Sequence, residues 1–228
     1  MRNISREELL ALLQKDQSLE GLGIEDMDLT GTDFSGKNLR VSVFRNVNLS
    51  HAKFCSSCLD NALFLDANLV DVDFSGASMH GTALRSNDLT GANLRGADLF
   101  SAVLEGAILD NVKHDQTTKW FDMYCPKEGA FLGYKKCVND RIVQLLIPAD
   151  AKRSSATLPS CRCNKAKVLT IKSADSSKSF TEAWSLVDES FVYRVGEWIE
   201  VKDFNDDRFM DSTRGIHFWM TREEAIAY

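Results

Sequence analysis

The chain has 228 residues, a formal net charge of −6 and 44% hydrophobic residues, which suits one or two domains with real cores and disfavours general nucleic-acid binding. No apolar run approaches the roughly twenty residues that span a bilayer, and the N-terminus, MRNISREELLALLQKD, lacks the apolar core and small-residue cleavage site of a secretory signal. Six cysteines in such a chain point to a reducing compartment, so no membrane contact and a cytoplasmic location are expected.

Residues 1–20 are expected to hold a short helix over 5–15. Ser5 is a good N-cap, Glu8 three places on would complete a capping box, and Ile4 and Leu9 occupy the staple positions. A helix here would cover the apolar end of the neighbouring segment, as atypical terminal caps do in repeat proteins.

That segment, residues 21–113, has a strict period of five. Ile24 is succeeded by Leu29, Phe34, Leu39, Phe44, Leu49, Phe54, Leu59, Phe64, Leu69, Phe74, Met79, Leu84, Leu89, Leu94, Leu99, Leu104 and Leu109, 18 large apolar residues without a slip. Two places before each sits a second residue that is usually small, as at Ala52, Ala62, Ala67, Ala77, Ala92, Ala97, Ala102 and Ala107. Lys37 and Asn87 break that second pattern, and a buried polar group needs partners. A period of five fits neither a helix nor a flat strand. Five residues can instead make one side of a square coil, with two residues inward and then a corner. Stacked in twenties, the centres form four columns: Ile24–Phe44–Phe64–Leu84–Leu104, Leu29–Leu49–Leu69–Leu89–Leu109, Phe34–Phe54–Phe74–Leu94 and Leu39–Leu59–Met79–Leu99. Gly31, Gly36, Gly76, Gly81, Gly91, Gly96 and Gly106 all fall two places after a centre, where a corner would need a glycine-friendly backbone.

The units Ala92-Asn93-Leu94-Arg95-Gly96 and Ala97-Asp98-Leu99-Phe100-Ser101 closely resemble the pentapeptide-repeat family. The resemblance covers all eighteen units and implies a right-handed quadrilateral parallel β-helix. The expected fold is therefore mainly β: a short N-terminal capping helix, this solenoid, and a small α+β C-terminal domain. It also implies a candidate partner, since some members of the family bind type II topoisomerases as DNA mimics. Charge weighs against that here. Residues 24–110 carry twelve acids and six bases, a net of −6, where duplex DNA of the rod's roughly 20 Å would carry about −12.

After Val112 the period stops, and 114–127, with Trp120, Phe121 and Tyr124, reads as a cap or linker. Residues 128–228 are expected to form the second domain. RIVQLLIP (141–148) and KAKVLTI (165–171) read as buried strands, FVYRVGEWIEV (191–201) as one half-buried strand, and TREEAIAY (221–228) as a closing helix with a Thr221–Glu224 capping box. The segments GYKKC (133–137), IVQLLIPADAKRSSAT (142–157), CRCNKAKVLTI (161–171), FVYRVGE (191–197) and GIHFWMTREEAIAY (215–228) resemble a domain of unknown function that accompanies pentapeptide repeats in phage and bacterial proteins. Where that family usually carries Trp and Cys, this chain has Phe209 and Ser212. The resemblance implies a fold neighbourhood and no activity.

Charge in this domain is segregated: over 129–172 nine bases face two acids, and over 173–211 ten acids face four bases. The plain reading is that the two segments neutralise each other. The sharper one is an anion, nucleic-acid or partner patch built from Lys152, Arg153, Ser154, Ser155, Arg162, Lys165 and Lys167. Cys161-Arg162-Cys163, with Cys125, Cys137 and His217, is a poor match to paired zinc knuckles, so thiols without metal are expected. Cys55 and Cys58 fall at outward positions of the solenoid. The Gly215–Phe218 segment, with Tyr193-Arg194 before it, is similar to the Gly-Ile-Tyr-Phe region of ADP-ribosyltransferases, but the chain offers no later strand for that family's catalytic Glu. No catalytic residue and no cofactor are expected, and the reading is a non-enzymatic scaffold that binds an unidentified protein partner, with topoisomerase mimicry or a nucleotide-binding second domain as alternatives.

Overall fold

The computed structural model describes residues 2–228 except Asp16 and Glu189. It is mainly β and divides into two compact units, Met1–Asp122 and Met123–Tyr228.

In the first unit β1 (Arg2–Asn3), β2 (Leu22–Glu25), β3 (Val43–Arg45) and β4 (Leu63–Leu65) stack in that order as a parallel sheet, each partner twenty residues on: Asn3↔Gly23↔Val43↔Leu63. The other sides of the coil are joined by single bridges with the same offset, such as Asp33↔Lys53↔Asp73↔Asn93. Every coil therefore hydrogen-bonds the next. Phe34 N–H donates to the Lys53 carbonyl at 2.7 Å, and Lys53 N–H donates to the Thr32 carbonyl at 2.9 Å.

The central residues from Ile24 to Leu104 are buried, and Leu109, with no coil above it, is only half-buried. Phe34 and Phe54 stack at 4.8 Å and 7°, and Phe44 and Phe64 at 4.7 Å and 3°. The two stacks meet edge to face across the interior, as in Phe34–Phe44 at 6.1 Å and 87°. This is the geometry in which ring edges meet ring faces favourably. Every corner position from 26 to 111 has positive φ, glycine or not: Gly96 is at 71°, Asn61 at 57° and Val41 at 48°.

The solenoid is longer at both ends than the period of five indicates. Leu19 is fully buried, its N–H donates to the Asn38 carbonyl, and Gly21 two places later has the corner backbone. Ile4 N–H donates to the Gly23 carbonyl, so Ile4 extends the Ile24–Phe44 column downward. Between Ile4 and Leu19 lies α1 (Arg6–Gln14), which buries Leu9 where a coil side would place a centre. Ser5 Oγ accepts the Glu8 N–H, but only half of the expected capping box forms, because the Glu8 carboxylate pairs with Arg2 instead. At the other end the segment read as starting a linker at 114 still pairs with the last coil. The offset is twenty at Asn93↔Lys113 and twenty-one at Asp98↔Lys119, so one extra residue enters between them.

The second unit contains β5 (Phe131–Cys137), β6 (Arg141–Ile147), β7 (Arg153–Ser155), β8 (Cys161–Cys163), β9 (Lys165–Ser173), β10 (Ser179–Phe180), β11 (Glu182–Trp184), β12 (Val192–Arg194), β13 (Trp198–Glu200), β14 (Ile216–Phe218) and α2 (Arg222–Ala227). A main antiparallel sheet runs β10-β9-β6-β5 with β13 also on β9; β14-β8-β7 form a second sheet and β11-β12 a ribbon. Inward residues of β6 and β9 fill the core with Val143, Leu145, Ile147, Val168 and Ile171, against Phe218 of β14, the β9 alternation shifting by one between Val168 and Ile171 at a bulge. Gly133 is required on β5, since a Cβ there would lie 2.6 Å from the Phe218 ring. The capping box of Thr221 and Glu224 is present in both directions.

One expectation fails: the run 191–201 is not one strand but splits into β12 and β13 with Gly196 at φ 88° between them. Beside the strands, the described residues of this unit hold one α-helix of six residues, α2, and a 3-10 turn at Val138–Asp140. Among the described residues no helix is long and apolar enough to cross a membrane.

Candidate functional site

The residues expected to form an anion patch are engaged in holding the second unit together. Arg153 donates to four backbone carbonyls, Nη1 to Gly129 at 2.6 Å, Nη2 to Pro148 and Ala149, and Nε to Ala151, and lies over the Phe131 ring. Arg162 is only 2% exposed. Its Nη1 donates to the carbonyls of Asn205 and Arg214 and its Nη2 to that of Asp207, which secures the 203–214 loop. Ser154 and Ser155 are buried; Ser155 Oγ accepts the Tyr124 N–H at 2.7 Å, while Ser154 Oγ has no hydrogen-bond partner. Lys152 pairs with Asp206 and Lys165 with Asp150, and Lys167 lies by the Trp198 ring. The seven side chains do not converge on one anion. Guanidinium groups turned onto carbonyls of their own fold are not presented to a phosphate.

The same contacts show how the segregated charge is used. The basic segment meets the acidic one through Lys152–Asp206 and through Arg141, whose Nη1 donates to the Glu182 carbonyl. Tyr193-Arg194 and Gly215–Phe218 do not share a sheet: β12 pairs with β11, and β14 with β8. The similarity to ADP-ribosyltransferases therefore has no structural counterpart.

The cysteines divide into two groups. Cys55 and Cys58 are half-exposed on the rod, whereas Cys125, Cys137, Cys161 and Cys163 are buried in the second unit, all six as free thiols. The neighbouring Cys161 thiol, with the Arg153 and Arg208 charges, draws the Cys125 thiol below its usual range, while Cys125 and burial push Cys161 up; Cys161 Sγ lies 3.6 Å from the Pro159 carbonyl. Burial raises Cys137 to about 11 and Cys163 to about 12. Among the described residues no three His, Cys, Asp or Glu side chains are placed to share a metal ion. His217 is half-buried with Nε2 at 2.8 Å from the Thr213 carbonyl, and burial depresses its pKa.

Sequence reading passed over Lys135. It lies on the inward face of β5 between Gly133 and Cys137, is 7% exposed, and has its pKa lowered by burial. The alternation Gly133, Lys135, Cys137 was the available signal.

On the rod, bases answer acids one coil away. Arg45 pairs with Glu25, Arg40 with Asp60, Arg85 with Glu105 and Arg95 with Asp115, at 2.7–3.7 Å. Asp28, Asp33, Asp73 and Asp88 each accept the N–H two residues on and so brace their own turns. The model for pentapeptide repeats matches residues 26–61, 59–86 and 77–113, in 8 copies. Residues 26–113 are pentapeptide repeats. The second unit matches, over residues 121–225, the family described as a family of unknown function (DUF5758). Among solved structures, the pentapeptide-repeat protein Rfr23 from the cyanobacterium Cyanothece 51142 is 23% identical, covers 49% of this chain and 95% of its own, and has a TM-score of 0.40. QnrB1, a plasmid-mediated fluoroquinolone resistance protein, is 19% identical, covering 52% of this chain and 72% of its own at a TM-score of 0.32. No curated protein matches the chain.

The pentapeptide rod also explains its own exception. Ser42, Thr82 and Asn87 stand where Ala is usual, and each is buried. Their side chains donate to the carbonyls of Leu19, Leu59 and Phe64, so the polar atoms knit coils together and form no site.

Proposed function

We propose that this pentapeptide-repeat protein is a non-enzymatic interaction scaffold, in which a rod, right-handed and square in section, accompanies a recognition domain. The twenty-residue bridges, four pentapeptides to a coil, support the square section. The observation that carries the functional reading is a set of large apolar side chains left exposed within residues 184–198 of the second unit. Trp184, Leu186, Val187, Val195 and Trp198 all leave large side chains in water on and beside β11, β12 and β13, with Val187 at 85% and Trp198 at 55% exposed. Large aliphatic and aromatic side chains left in water at this density along the chain are the kind that protein partners cover.

The test uses the full chain as bait in its native extract, beside the double variant Val187→Asp, Trp198→Ser. A partner retained by the unmodified chain should fall at least about tenfold with the variant, the loss of roughly 1.4 kcal/mol of contact. Equal retention by both would refute this surface. Two further assays address the alternatives. Gyrase supercoiling should proceed uninhibited at micromolar protein, because most acids of the rod are matched by bases one coil away or tied into turns. Nucleotides, NAD and zinc should each leave the melting temperature unchanged.

A further inference from the structure

The strands β7 and β8 bring two cysteines together that are far apart in sequence. Tyr124 N–H donates to Ser155 Oγ at 2.7 Å. Ser155 stands directly across from Cys161 in the β7–β8 register. Residue 125 is thereby delivered beside Cys161, whose thiol helps draw that of Cys125 below its usual range. Two fixed positive charges stand near. Arg153 is locked by its four carbonyls, and Arg208 Nε donates to the Ser155 carbonyl at 2.7 Å. We infer that Cys125 and Cys161 form an oxidisable dithiol, a disulfide site in which Cys125 is the attacking sulfur and Cys161 the resolving one.

The chemistry comes from the placement. A thiolate is the nucleophilic form of cysteine, and adjacent arginines with a neighbouring thiol stabilise it. Cys125 receives all three, whereas Cys137 and Cys163 meet burial, which holds them as inert thiols. The co-oxidant is a small hydroperoxide, because Cys125 is too buried for a bulky disulfide while its neighbour Tyr124 reaches the surface. Cys125 sulfur attacks the terminal peroxide oxygen, forming S–O as O–O breaks, and the departing alkoxide takes a proton to leave as the alcohol. Cys161 sulfur, giving up its proton, then attacks the resulting sulfenic acid; S–S forms, S–O breaks, and water leaves. The dithiol loses two electrons and two protons, and the hydroperoxide is reduced to alcohol and water.

The experiment uses the full chain carrying Cys55→Ala and Cys58→Ala, which removes the two half-exposed thiols and leaves the four buried ones. Hydrogen peroxide should reduce the titratable thiols from four to two, and dithiothreitol should restore them. Trypsin separates Cys161 from Cys163 by cutting after Arg162, so the cross-link should join peptide 120–127 to peptide 154–162. In Cys161→Ser the oxidation should stop at a dimedone-reactive sulfenic acid on Cys125, and Cys125→Ser should leave Cys161 reduced. Four surviving thiols, or a cross-link through peptide 163–165 or through Cys137, would overturn the assignment. The mapping on the background chain decides the matter even if a serine variant fails to fold.

Discussion

The side-chain amide of Asn87 donates to the carbonyl of Phe64, one coil below, at 3.0 Å. Its Oδ1 accepts the Ala67 N–H at 2.9 Å, and Nδ2 also donates to the Arg85 carbonyl. In the Leu29, Phe34 and Leu39 columns every turn closes on itself, as where Ala77 N–H donates to the Phe74 carbonyl at 3.0 Å. At 64–67 it does not, and Asn87 is inserted as the bridge. The site coincides with the change from the longer strands β2–β4 to single bridges.

Asn87→Ala should therefore destabilise the rod despite installing the consensus residue. It leaves the Ala67 N–H and the Phe64 carbonyl buried without partners, a cost of about 3 kcal/mol. Urea unfolding of the full chain checks the value, and a variant as stable as the parent would show that the corner can close on its own.

Val41 should behave in the opposite sense. A β-branched residue at φ 48° occupies a corner that glycine or a polar residue (Asn, Asp, Ser or His) fills elsewhere, and it is 44% exposed. Val41→Asn removes the left-handed strain and sacrifices little packing, so stability should rise by about 1 kcal/mol. Calorimetry on the two chains measures the shift in Tm.

Lys135 should make the second unit more stable as pH rises. Its folded pKa lies below the unfolded 10.5, so the unfolded chain holds the proton over the interval between the two values. Below that interval the charged amine is buried at full cost; across it stability is regained. Cys137, Cys163 and His217 lie near it, and no carboxylate contributes to holding its charge. Lys135→Met should stabilise at neutral pH by about 2 kcal/mol, an advantage that shrinks towards pH 10.5. Denaturant titrations of both chains from pH 7 to about 10 give the difference curve, and a flat difference would contradict the burial cost.

Arg162→Lys should be nearly as damaging as Arg162→Met. The fork serves carbonyls of Asn205, Asp207 and Arg214 in three directions, which a single ammonium cannot reproduce. Both should cost about 3 kcal/mol and speed proteolysis within 203–214, read by limited digestion of the full chain.

The rod was legible because each inward residue recurs at a spacing no helix or strand can hold, and Gly21 carried the corner signature that would have revealed Leu19. The helix between Ile4 and Leu19 hid the rest of the first coil, since its own period of 3.6 interrupts the count. The single residue gained before Lys119 is invisible because Asp115, Gln116 and Thr117 match neither pattern. In the second unit, Gly196 was a readable break within 191–201. The burial of Arg162 was not readable: it depends on a loop some forty positions away closing over β8. The stretch from Lys152 to Ser155 misled for a related reason, because nothing local announces that the carbonyls at Gly129, Pro148, Ala149 and Ala151 converge on Arg153.

The constant offset of twenty between coils limits how such a rod can change length. Duplicating a whole coil between Val47 and Leu94 keeps ring over ring and every carbonyl opposite an N–H. Duplicating one pentapeptide preserves the local consensus yet turns everything after it by one face, sliding leucines over phenylalanines and moving Asn87 away from the gap it spans. The rod is thus quantised in length, and its natural unit of inheritance is the full circuit.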